Sequence, residues 1–95
     1  MKDFFDRQIK NLRQTIDDYR AGRLTLNTLI QRIQGIGDVL EDDEWKQAVF
    51  PIIWSMEQIN AFALEEKQDL TEKETRSIEN SLLELEAFIG RLDAE

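Results

Sequence analysis

Apolar residues recur along this chain at intervals of three and four. Phe5, Ile9, Leu12, Ile16 and Tyr19 are spaced 4, 3, 4, 3, which places them on one face of a helix. Gly22 follows as a stop signal, because glycine enters the left-handed region without steric cost. Thr25 offers an N-cap to a second helix carrying Leu26, Leu29, Ile30, Ile33 and Leu40. Gly35 and Gly37 each weaken that helix by about 1 kcal/mol relative to alanine, so its end is predicted between Ile36 and Leu40. The run "EDDEW" marks a third start, with Asp42 or Asp43 as cap and the remaining acids facing the positive end of the helix dipole. Trp45, Val49, Ile52, Ile53, Met56, Ile59 and Ala63 then supply a broad apolar face. Pro51 removes one backbone bond and crowds the carbonyl of Gln47. Because the periodicity passes straight through it, a kink is predicted there and not a break. The last segment opens on a capping box, Thr71 to Glu74, and repeats 4, 3, 4, 3 through Ile78, Leu82, Leu85, Ile89 and Leu92.

Four amphipathic segments joined by connections of two to five residues imply antiparallel neighbours. The predicted fold is all-α, an antiparallel up-down four-helix bundle with its third helix kinked at Pro51. Its helices fall near residues 3–21, 26–40, 43–67 and 72–92, in a single domain over 1–95. The predicted core contains Ile9, Leu12, Ile16, Leu29, Ile33, Trp45, Val49, Met56, Ile59, Ile78, Leu82, Leu85 and Ile89. Trp54, one turn after Phe50, lies away from the Val49–Ile53–Met56 stripe, towards Gln47, Gln58 and Ala61; in so small a bundle it is expected to be covered by a neighbouring helix.

Composition narrows the class. With 41% hydrophobic and 34% charged residues, the chain is too apolar for disorder and too polar for a membrane interior. Its longest uncharged run, Gln47 to Met56, falls well short of the roughly 20 residues a spanning helix needs. The opening "MKDFFDRQIK" puts charges where a signal peptide has its apolar region, and cysteine is absent, so a cytoplasmic protein without disulfides is expected. The net charge of −8 is uneven. Residues 1–32 carry seven basic and four acidic side chains, a net of +3, whereas residues 33–95 carry five and sixteen, a net of −11. Such a field repels nucleic acid and a basic partner is drawn to it. It also serves plain solubility. Lys10, Arg13 and Arg20 on the first helix are interleaved with Asp6, Asp17 and Asp18, which reads as surface pairing and not as a phosphate-binding stripe.

Histidine is absent as well as cysteine, which removes the usual general base, the thiol nucleophile and the zinc ligands, along with any Glu-x-x-His di-iron site. Glu57, Glu65, Glu66 and Asp69 lack the spacing of a calcium loop and read as solvated surface. Gly35 and Gly37 resemble the start of a phosphate loop, but no lysine follows and no strand precedes them. The expectation is therefore a protein without catalysis, metal or cofactor.

Two acidic features remain as candidate partner-binding sites. Asp38, Glu41, Asp42, Asp43 and Glu44 gather at one interhelical corner, where capping needs one carboxylate and the dipole rewards about two more. Glu72, Glu79, Glu86 and Asp93 recur at heptad spacing, about 10 Å apart along the last helix, as either a recognition row or an ordinary solvated face. Trp54 joins the candidates as a possible interface anchor.

The stretches "DYRAGRLTLNTLIQRIQGIGDVLEDDEW", "PIIWSMEQINAFALEE" and "LTEKE...SLLELEAFI" resemble a group of small, acidic, all-helical bacterial proteins associated with immunity genes beside polymorphic toxins, contact-dependent growth inhibition systems among them. The resemblance spans nearly the whole chain and rests on helix patterns and turn residues, not on a catalytic signature. It implies a protein that binds and blocks one cognate toxin domain, often a basic nuclease, by electrostatically steered stoichiometric binding. The residues by themselves leave a second possibility open, a helical module that self-associates or regulates through an exposed stripe. No membrane or nucleic-acid partner is expected in either case.

Overall fold

The helices begin and end where local chemistry directs. The structure, a computed structural model, describes residues 2–67 and 69–94, with side-chain surroundings for 3–67 and 69–92. Four helices occupy nearly all of it: α1 Lys2–Arg20, α2 Leu26–Leu40, α3 Asp43–Glu66 and α4 Glu72–Ala94. No strand occurs among the described residues, and the chain is all-α, with the helix number, order and connection lengths expected of an up-down bundle.

Each terminus has an identifiable cause. Gly22 takes φ +80 and ends α1. Thr25 caps α2, its hydroxyl accepting from the Thr28 N–H at 3.2 Å. Asp42 caps α3 in the same way, its carboxylate accepting from the Trp45 N–H at 2.9 Å. At α4 the capping box closes in both directions: the Thr71 N–H donates to Glu74 Oε1 at 2.8 Å, and the Glu74 N–H donates to Thr71 Oγ1 at 3.1 Å. The predicted ends hold to within one or two residues. Lys67 turns left-handed at φ 52, so α3 stops at Glu66. Within α3, one helix passes through Pro51 without a break.

The chain divides into two compact units, Met1–Gln47 and Ala48–Glu95, and the division falls inside continuous α3, not in a linker. In the first unit α1 and α2 pack together across the five-residue connection 21–25. Ile9, Leu12 and Ile16 of α1 are buried, as are Leu26, Leu29, Ile30, Ile33 and Ile36 of α2, together with Trp45. In the second unit Ala48, Pro51 and Ile52 of α3 line a common groove with Glu84, Ala87, Phe88 and Arg91 of α4. Residues early in α3 thus face residues late in α4, the register of an antiparallel pair folded about the 67–71 connection. Val49, Ile52, Ile53 and Met56 are buried, with Ile78, Leu82, Leu85, Phe88 and Ile89 from α4. Each such side chain contributes about 1.5–3 kcal/mol relative to leaving it exposed.

Two expectations about burial need correction. Ile59 is only half-buried, because it lies at the edge of the α3 stripe, about 60° round the helix from Met56. Trp54 is not covered: it is 55% exposed, and Phe50 one turn before it is 67% exposed. Trp45, by contrast, is 2% exposed. The α3 apolar residues outnumber the positions that face the core, and the surplus stands in solvent.

Candidate acidic interaction surface

The corner between α2 and α3 is built by two residues, Glu41 and Asp42, that form the whole connection between the helices. Glu41 sits in the left-handed region at φ 49, ψ 37, and its N–H donates to the Gly37 carbonyl at 3.1 Å, closing the last turn of α2. Asp42 then caps α3, while the Lys46 N–H donates to the Asp42 carbonyl at 3.0 Å. The tightness of this turn brings Asp38, Glu41, Asp42, Asp43 and Glu44 to one surface, and all five are exposed. Among the described residues, none of the five has an ion-pair partner.

Helix dipoles divide the group. Asp43 and Glu44 occupy the first turn of α3, where a carboxylate gains about 0.3–1 kcal/mol. Asp38 and Glu41 stand in the last turn and cap of α2, at the negative end of its dipole, where a carboxylate is unfavourable and no base lies in that turn to offset it. Glu41 adds the steric cost of a non-glycine residue in the left-handed region, on the order of 1 kcal/mol. Helix stability accounts for Asp42 and rewards its two successors. It opposes Asp38 and Glu41.

The α4 carboxylates do not stand as one even row. Glu72 is exposed and pairs with Arg76 one turn on, at 3.4 Å. Glu79 and Glu86 are half-buried. A seven-residue repeat falls about 20° short of two full turns, so the row winds towards the buried Leu82 and Ile89 stripe as it proceeds. The side chain of Asp93 lies outside the described residues.

Elsewhere the chemistry is structural. Asp18 is held below the usual carboxylate range because Arg23 Nε donates to its Oδ1 at 3.0 Å, and Gln14 Nε2 donates to the same oxygen at 3.0 Å. With the Arg23 N–H bonded to the Asp18 carbonyl at 2.8 Å, this pair ties the end of α1 to the following turn. Among the described residues, no group of three or more carboxylates is arranged to hold a metal ion, and no helix is long and apolar enough to cross a membrane.

One surface feature was not apparent in the sequence: the groove between α3 and α4, floored by Ile52 and Phe88 and walled by Ala48, Pro51 and Ala87. Its signal was the small residues at 48 and 87, half-buried and exposed, which acquire meaning only once the two helices lie side by side. No family model, curated protein or solved structure matches this chain.

Proposed function

We propose that this protein acts by stoichiometric binding of a basic protein partner, and that the partner is a toxin domain which it neutralises, as its resemblance to bacterial immunity proteins implies. The α2–α3 corner carries the proposal. Asp38 and Glu41 are kept where the helix dipole disfavours them, Glu41 in a backbone region that favours glycine. A cationic surface repays both residues, and unpaired exposed carboxylates of one sign accelerate diffusional encounter with it. A nuclease domain is basic where it holds phosphate, so an acidic corner can occupy that surface in place of the nucleic acid.

The experiment uses a candidate toxin domain as the partner, taken from the neighbouring gene where that gene encodes a secreted toxin. The triple variant Glu41→Gln, Asp43→Asn and Glu44→Gln leaves Asp42 to cap α3. Its unfolding midpoint should change little, while its association rate should fall and become less sensitive to salt. An unchanged rate accompanied by a much earlier melt would show that the cluster only starts a helix. The apolar side chains exposed on α3, Phe50, Trp54, Phe62 and Leu64, support self-association as a second reading. A homodimer held by them would persist as salt is raised, which separates the two readings.

A further inference from the structure

The second unit carries a groove between α3 and α4. Ala48 and Pro51 on α3 and Ala87 on α4 leave a gap of about 490 Å³ above Ile52 and Phe88, because small side chains occupy the facing positions. Trp54 stands beside it on α3, about 60° round the helix from Pro51, and Leu83, 53% exposed, stands one turn before Ala87 on α4. The two charged groups at the groove differ. The Arg91 guanidinium lies over the Phe88 ring, 5.8 Å from its centroid, whereas Glu84 is exposed and has no ion-pair partner among the described residues.

We infer that this groove seats an amphipathic helix of a basic partner, with one apolar side chain entering between Ala48 and Ala87, flanked by Trp54 and Leu83, and a lysine or arginine meeting Glu84. This rests on the proposed binding function and adds the apolar anchor that the acidic corner lacks. A second copy is the poorer occupant on charge: residues 48–95 hold eleven acidic and four basic side chains, a net of −7, so two such units repel. An aromatic residue beside an apolar groove, with a charge at the rim, is a composition common at interface centres.

The test uses a synthetic amphipathic helix of leucine and lysine, and its counterpart with glutamate for lysine, titrated into the full chain while the two indole N–H signals are followed by NMR. The leucine–lysine peptide should shift the Trp54 signal and leave that of Trp45, which is buried, in place. Filling the groove by Ala87→Leu, or from the opposite wall by Ala48→Leu, should weaken binding about tenfold, each variant being checked for an unchanged helical spectrum. Glu84→Lys should turn the preference towards the leucine–glutamate peptide. The triple variant at the corner should bind the peptide within about twofold of the parent, which keeps this result separate from the fate of the corner itself. The inference is overturned if filling the groove leaves affinity unchanged, if affinity follows the corner charges and not Glu84, or if Trp54 proves to be covered by a second copy that dissociates on dilution.

Discussion

The indole of Trp45 lies so close over Gly37 that a Cβ at position 37 would stand 3.1 Å from Nε1 and 3.5 Å from Cδ1. Both residues are buried, so neither the ring nor the α2 backbone has free space to yield. Gly35, two residues earlier, would meet nothing within 4 Å. The two glycines of α2 are therefore predicted to respond oppositely to alanine. Gly35→Ala should stabilise by up to about 1 kcal/mol through helix propensity. Gly37→Ala should lose about 1 kcal/mol net, overpacking outweighing the same propensity gain. Urea unfolding of the two variants checks the sign, and Trp45→Phe in the Gly37→Ala background should recover part of the loss if the contact is its cause.

The two tryptophans should be separable by quenching. Acrylamide should reach Trp54 and leave Trp45 protected, so Trp54→Phe should remove most of the quenchable emission. Trp54→Ala should change stability by no more than about 0.5 kcal/mol, as at other exposed positions. Trp45→Ala should cost about 3–5 kcal/mol by opening a cavity. Equal quenching of both indoles would contradict the burial described for α3.

At the corner, cap and charge can be dissected one residue at a time. Asp42→Ala should destabilise by about 1 kcal/mol, because the Trp45 N–H loses its acceptor. Glu41→Gly should stabilise by roughly 0.5–1 kcal/mol, since it relieves the left-handed strain and removes a carboxylate from the negative end of α2. The same Glu41→Gly variant should associate more slowly with a basic partner. A substitution that improves the fold while impairing binding is the signature expected of a residue retained for function.

Asp18 supplies a pH prediction with a definite sign. Its folded-state carboxyl is held below the ordinary value by Arg23 first and Gln14 second. A lowered folded pKa means that the stability it contributes is fully present above the ordinary carboxylate range and is lost as pH falls through the lowered value. NMR titration should find Asp18 ionising below the ordinary carboxylate range, and Asp18→Asn should flatten the acid limb of the stability profile. An ordinary value for Asp18, or an acid limb unchanged in Asp18→Asn, would contradict the Arg23 pairing.

Much of the fold was legible because its determinants are local. Thr25, Asp42 and the Thr71–Glu74 box satisfy donors three residues away, and the 78–82–85–89 stripe follows from 3.6 residues per turn. Gly22 ends α1 because of what glycine itself permits. The acidic corner was equally visible, since a two-residue connection gathers neighbours in sequence into neighbours in space.

What needed the tertiary structure was every property set by a neighbouring element. Trp45 follows an acidic run and Trp54 lies in an apolar one, yet the placement of other helices buries the first and leaves the second in solvent. Gly35 and Gly37 are indistinguishable as helix-weakening residues until the Trp45 ring is laid over one of them. The half-burial of Glu79 and Glu86, against the exposed Glu72, depends on what packs beside the α4 stripe, which spacing alone does not show. Ala48 and Ala87 form the walls of a groove only because α3 and α4 are antiparallel neighbours. Periodicity and caps depend on bonds within a single turn, which the order of residues determines alone. Exposure, close approach and cavities depend on the distance between side chains far apart in the chain, and only packing sets that distance.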